Sequence, residues 1–255
     1  MRARFLTLSR WAPELAGAGF VAAFVLLLQV LIGAGAINRF LVPPPSSVAA
    51  SFGMLIAHEG LLRRFAATFG ETFAAWFLAT LVGVLAGWAL HRWRIVRRAY
   101  LSWVVGIAAA PLILIYPLFL VVFGRSMAAI IAMSFVSALT PIVLKTCEGL
   151  GATRPVLLDV GRSFNLSPLQ QFWMIQLPAA TPTIFSGVRL GLIYALLSVV
   201  AVEYLIDFGG LGQLVADLAD RYEMPAMYGA ILFVAMVSAC FFLALEKLEE
   251  WLRPA

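Results

Sequence analysis

Few residues in this chain are equipped for chemistry. His58 and His91 stand far from each other, with no acid or nucleophile at catalytic spacing, so each reads as solvated or interfacial. Cys147 and Cys240 lie in or near apolar runs, distant in sequence, which points to small buried hydrophobes rather than a disulfide framework or a metal site. The phosphate-cradling pattern G-x-x-x-x-G-K-[ST] is missing, and so are H-E-x-x-H and G-x-S-x-G. Three charges remain: Glu71, Arg189 and Glu203 each fall within a long apolar stretch. A charge in that setting is costly, and is kept because it is functional or paired. Arg189 suits an anionic solute, a carboxylate partner, or snorkelling toward the cytoplasmic face. The chain is therefore expected to be no enzyme, to hold no cofactor or metal of its own, and to take any driving energy from elsewhere.

The elements that position these residues are apolar helices. Of 255 residues, 63% are hydrophobic and 12% charged, against about 45–50% and about 25% in soluble domains. This composition predicts an all-α, polytopic membrane protein made of a single transmembrane domain over 1–255. Six spans follow from the apolar runs, starting near Leu15, Ala66, Tyr100, Met127, Thr183 and Ala226. The first run, to Ile37, is about 23 residues, too long for a signal h-region and right for an uncleaved span. Pro43-Pro44-Pro45 excludes helix locally, and a surface amphipathic helix is expected after Ser46 or Ser47, with Val48, Phe52, Leu55 and Ile56 on one face. Gly83-x-x-x-Gly87 and Gly187-x-x-x-Gly191 allow close helix approach, within the fold or at a dimer face. Pro111 and Pro117 break the third span, either as packing kinks or because the freed carbonyls line a solute path.

The net charge of +5 carries no basic stripe interleaved with aromatics, which argues against nucleic acid. The basic residues set orientation instead. Arg2, Arg4, Arg10, the Arg92–Arg98 cluster, Lys145, Arg154, Arg162, Lys247 and Arg253 would share one side; only Arg39, Arg63, Arg64, Arg125 and Arg221 fall on the other. The first side is then cytoplasmic and carries both termini.

Between spans four and five, residues 153–178 read as structured though polar. Thr153 and Pro155 are expected to open one short helix and Asn165 to end it in a left-handed turn; Ser167 caps a second helix with Pro168 at its first position. The spacing Asp159-Val160-Gly161, three residues, Asn165, nine residues, Ile175, one residue, Leu177-Pro178 resembles the cytoplasmic EAA coupling loop of ABC importer permeases. It differs in having Asp for Glu, Val and Gly for two Ala, and Asn for Gly. From Pro43-Pro44-Pro45-Ser46 through the Gly210-Leu211-Gly212 turn, the chain is similar to the nitrate/sulfonate/taurine branch of that family.

The resemblance implies a permease subunit of an ATP-driven importer, paired as a homodimer in the bacterial inner membrane. It implies two separate ATPase subunits that bind ATP and Mg, and an extracytoplasmic binding protein that docks on the Gly209–Glu223 loop and the Pro43 region. Asp159, Gly161, Arg162, Asn165, Ile175, Leu177 and Pro178 would couple to the ATPase: Gly161 by close approach, Asn165 by its turn, Asp159 and Arg162 by partner or helix-cap contacts. Pro111, Pro117, Arg189 and Glu203 are the candidates for the path. The solute is expected to be a small anion such as a sulfonate, taurine or nitrate, or else a vitamin precursor. An ATPase-independent channel or secondary transporter, and an intramembrane enzyme, are the competing classes.

Overall fold

The computed structural model describes residues 2–252, with side chains over 15–247. The side chains of Arg2, Arg4 and Arg10 and of the tail past Lys247, Arg253 included, lie outside the described residues. Among the described residues the chain is helical and without strands. Five helices among the described residues are long and apolar enough to cross a membrane, and a further apolar pair, bent by 93°, has the form of a broken span or a re-entrant loop. Against the six spans expected, the described residues thus hold five candidate crossings, or six where the bent pair crosses as one span.

The chain divides into two compact units, one of residues 1–61 and 217–232, the other of residues 62–216 and 233–255. The first unit holds α1 (Arg2–Gly33), α2 (Pro45–Ala57) and the opening turns of α11 (Met224–Leu252). Phe20, Leu26 and Val30 on α1 are exposed, as suits a lipid-facing span. The Arg39 guanidinium donates to the carbonyls of Ile32 and Gly33 at 3.2 Å, satisfying oxygens that the end of α1 leaves open. α2 starts at Pro45, earlier than expected after Ser46 or Ser47 and within the proline run read as excluding helix, because proline is accepted at the first position of a helix. Of the four residues expected on one face, Leu55 is fully buried while Ile56 is exposed. Ser51 hydrogen-bonds the Pro225 carbonyl at 3.1 Å, and a Cβ on Gly229 would sit 2.7 Å from Ser51 Oγ, so α2 lies tightly on α11. Arg221 grips Glu59 with two bonds of 2.9 and 3.0 Å, and that carboxylate pushes the Arg221 pKa up. The pair is partly exposed, so Arg221→Ala is expected to shift stability by only about 0.2–1 kcal/mol, and less at high salt, as thermal unfolding in low and high salt would record.

The second unit is built around α6 (Met127–Gly151), flanked by α3 (Leu61–Arg92, from Leu62 on) and α9 (Leu177–Ile206). Small residues make these crossings close. A Cβ on Gly87 would stand 2.5 Å from Thr146 Cβ, and one on Gly191 2.6 Å from Ile142 Cδ1. Both glycine motifs thus serve packing onto α6, where the gain is close van der Waals contact rather than escape from water. Ala79, Ala138, Ile142 and Ala195 are each fully buried at this centre. A second cluster, Ile130, Met133, Val199, Val202 and Ile206, receives Ile113 and Phe119 from the bent span.

Several boundaries differ from the sequence expectation, among them α4 starting at Arg94 rather than Tyr100 and α9 at Leu177 rather than Thr183. α3 starts at Leu61 rather than Ala66, taking Arg63 and Arg64 into its first turns. The third span is α4 (Arg94–Ala109), a 3-10 turn over Leu112–Ile115, and α5 (Tyr116–Phe123). Its break falls at Ala110–Pro111, because the residue before proline is pushed to extended backbone, and Ala110 has ψ 141°. Pro117 makes no second kink; it occupies the first turn of α5, where its missing N–H costs nothing. The Gly209–Glu223 stretch is helical rather than a loop: α10 runs Gly210–Asp220.

Candidate functional site

The polar segment after α6 folds as the turn chemistry dictates, with one exception. Thr153 does not cap the next helix; its hydroxyl donates back to the Leu150 carbonyl at 3.2 Å, and Arg154 is the residue before α7 (Pro155–Ser163). Pro155 starts the helix as expected. At its end Asn165 has φ 52°, Leu166 N–H donates to Gly161 O at 3.0 Å, and Asn165 N–H to Arg162 O at 2.9 Å. That pair of bonds is the Schellman arrangement, which a left-handed residue permits. Ser167 then caps α8 (Pro168–Gln171) reciprocally with Gln170.

The second helix of the pair is not free-standing. α8 passes through a π-helical stretch, Phe172–Gln176, directly into α9, so Pro168–Ile206 forms one 39-residue apolar run. Pro178 explains the widened turn: it lacks an N–H and its ring would crowd the carbonyl four residues back, and a π turn absorbs that mismatch. α7 is latched to this run at two points. Gln171 donates to the Leu158 carbonyl at 2.7 Å. Gly161 is buried, and a Cβ there would stand 2.7 Å from Ile175 Cδ1 and 2.9 Å from Gln171 Nε2. The close approach of Gly161 is thus made within the segment. Asp159 and Arg162 pair with each other at 2.8 Å on the exposed side of α7, leaving Val156, Val160, Phe164 and Trp173 as exposed apolar side chains nearby in sequence.

A cleft of about 590 Å³ opens between α6, α9 and the break of the bent span. Its walls are largely apolar, with Ser137, Thr140, Tyr194 and Ser198 supplying hydroxyls and Lys145 a charge. Ser137 and Ser198 bond across it at 3.2 Å, and Lys145 pairs with Glu148 at 2.9 Å. Ala110 and Leu112 line the cleft on either side of Pro111. Pro117 and Arg189 stand apart from this lining; the Arg189 guanidinium lies 5.0 Å over the Phe242 ring. Glu203 also lies elsewhere: it is fully buried against Thr68 on α3 and the first turn of α10. Sequence reasoning missed the hydroxyl set. Four such residues in two apolar helices, spaced so that they share a face, were the available signal.

The second unit thus holds a bent helix pair beside a cleft and a latched polar helix pair between α6 and α9. The family model described as "Binding-protein-dependent transport system inner membrane component" matches residues 79–255, well over half of the chain, so the chain belongs to that family. It is a multi-pass inner-membrane permease subunit of an ABC importer, a transport component and not an enzyme. It is 28% identical over 229 residues to a probable ABC transporter permease protein of Haemophilus influenzae, covering 89% of this chain and 92% of that one. It is 24% identical over 223 residues to the taurine transport system permease protein of Escherichia coli, covering 86% and 81%. Its fold matches an inward-facing structure of the MetNI methionine ABC transporter with TM-score 0.66 at 21% identity, over 76% of this chain and 96% of that one.

Proposed function

We propose that residues 155–178 are the coupling element through which a separate ATPase drives this permease. The carrying observation is the latch of Gly161 and Gln171 on Ile175 and Leu158, which makes α7 one body with the base of α9. α9 and α6, joined through this segment, form two walls of the cleft. A push on α7 would tilt those walls and exchange the openings of the path, a two-state element biased by a ligand on another chain. ATP and Mg would be held by that partner. The exposed Asp159–Arg162 face would meet it, with Asn165 fixing the turn and Leu177-Pro178 starting the span. This requires residues 155–178 and both termini to be cytoplasmic. A cysteine placed at Ser163 should therefore react with a membrane-impermeant maleimide only in inverted vesicles; reaction in right-side-out cells would overturn the orientation. The working unit is a dimer of permeases with two ATPases. A binding protein delivers solute at the opposite face, through the Pro43 region and residues 209–223.

The cargo is a small solute with an apolar body and a compact polar head. Taurine or another sulfonate is the first reading: the sulfonate would take Lys145 and the hydroxyls of Thr140 and Ser198, the chemistry also expected for nitrate. The apolar walls and the pairing of Lys145 with Glu148 favour a second reading, a neutral vitamin precursor held by hydroxyls alone. Replacing Lys145 with Gln separates them. Uptake of a sulfonate should fall about tenfold or more, the cost of roughly 1.4 kcal/mol of lost charge interaction, whereas uptake of a neutral solute should hold. Ser198→Leu would fill the cleft and stop either; unchanged uptake in that variant would remove the cleft from the path.

A further inference from the structure

Between Glu71 and Glu148 the chain has no acidic residue, yet four arginines, Arg92, Arg94, Arg97 and Arg98, fall close together there. Arg92 ends α3 and Arg94 opens α4, so the cluster stands at the turn between two apolar helices. All four residues are exposed. Among the described residues no carboxylate pairs with any of them, and the next acid along the chain, Glu148, is taken by Lys145.

Left to itself this arrangement is unfavourable. Arg94, Arg97 and Arg98 are three and four residues apart, which sets them on one helix face as mutually repelling neighbours. They also lie in the first turns of α4, where the helix dipole presents its positive end. Val96 and Val104 pack onto the buried Leu90, Val143 and Cys147, which fixes the rotation of α4 and keeps the arginines outside the bundle. An anion on the outer face offsets both costs.

The surroundings fix the kind of anion. Ile95 is 84% exposed and Trp103 72%, and Trp93 and Tyr100 are exposed as well. Apolar and aromatic side chains interleaved with arginines suit the boundary of headgroups and acyl chains, where indole and phenol rings settle. An aromatic row leads away from the cluster: Trp93 meets Trp88 at 5.7 Å, Trp88 meets Phe172 at 6.3 Å, and Phe172 meets Trp173 at 5.5 Å between ring centres. The row puts the arginines at the same end of the bundle as the π turn that leads into α9. Guanidinium groups take phosphate through paired N–H bonds, and phospholipids present phosphate at this depth.

We propose that Arg92, Arg94, Arg97 and Arg98 form a binding surface for the phosphates of anionic phospholipids, with Trp93 and Trp103 seated against the upper acyl chains. The surface stands whether or not residues 155–178 couple to an ATPase.

The test is native mass spectrometry of the full-length permease in detergent with added lipid. A basic residue beside an anionic membrane surface strengthens attraction about fivefold. The wild type should therefore retain phosphatidylglycerol at least tenfold more tightly than phosphatidylcholine, by a margin that shrinks as salt is raised. The triple variant Arg94→Gln, Arg97→Gln, Arg98→Gln should hold the two lipids alike. The corresponding Arg→Lys triple keeps the charge, and with it the membrane orientation, and should keep a preference for phosphatidylglycerol. A second measurement needs only the wild type: in nanodiscs, brominated phosphatidylglycerol should quench tryptophan emission more than brominated phosphatidylcholine at equal mole fraction. Equal retention or equal quenching by the two lipids in the wild type overturns the proposal, as does an undiminished preference in the Gln variant. Displacement of the lipid by millimolar inorganic phosphate would overturn it in favour of a free anion. Loss of the preference once an ATPase subunit is bound would overturn it in favour of a protein partner.

Discussion

Gly161→Val is expected to abolish uptake and solute-stimulated ATP hydrolysis while leaving membrane insertion at the wild-type level. The added Cβ would come within 2.7 Å of Ile175 Cδ1 and 2.9 Å of Gln171 Nε2, and the two γ-methyls would reach further. α7 must then lift from the base of α9, and the Gln171–Leu158 bond of 2.7 Å breaks. A lost hydrogen bond with a partly buried carbonyl left open costs about 1–3 kcal/mol, enough to detach α7 without unfolding the spans. The consequence is loss of transmission, not loss of the bundle. Asn165→Val should act alike, because a β-branched residue at φ 52° is strained by about 1–3 kcal/mol. Asn165→Gly should remain near wild type, since glycine adopts that backbone freely. Uptake in membrane vesicles, normalised to permease detected by immunoblot, reads the effect. Wild-type uptake by Gly161→Val would exclude coupling through this segment.

The largest effect on the folded bundle is expected from Gly87→Val. Its Cβ would stand 2.5 Å from Thr146 Cβ and 2.7 Å from the Val143 carbonyl. A side chain can rotate away, but a helix carbonyl cannot, so α3 has to separate from α6. Overpacking of this kind typically costs about 1–3 kcal/mol and more where backbone opposes backbone. It also undoes the close contact that holds helices together in lipid, where no hydrophobic drive compensates. Solubilised Gly87→Val protein should unfold at a clearly lower temperature and aggregate on size exclusion. Gly106→Val on α4 is the control: no atom lies within 4 Å of a Cβ there, so it should behave as wild type. Equal thermal stability of the two variants would show that the α3–α6 crossing is not set by small residues.

The turn chemistry of residues 153–178 was legible because each part is local. Asn165 in the left-handed region, Ser167 with Gln170 as a capping box, and Pro155 and Pro168 at first turns need no distant partner. Thr153 was misassigned for a similar local reason: its hydroxyl had two backbone choices within three residues, and the end of α6 won. Continuity of α8 with α9 was hidden because Pro178 reads as a helix break, and only the π turn before it shows how the helix continues. The Gly209–Glu223 segment looked like a loop from its glycines and acids. Its helix depends on Glu203 and Thr68, far away in sequence, taking up the first N–H groups.

Composition, apolar run length and the polar helix pair by themselves determined that this chain is an all-helical, multi-pass membrane protein with a structured polar segment over residues 153–178. Those features rest on water-lipid partition and on caps a few residues apart, which the order of residues carries directly. Only the tertiary structure decided that both glycine motifs close on α6, that Glu203 holds α10 while Arg189 lies over Phe242, and that the cleft is faced with hydroxyls. In lipid nearly every face of a span is apolar, so hydropathy cannot say which face meets a neighbour. That choice is made by shape, by small residues meeting backbone, and by buried polar groups finding one another across the bundle.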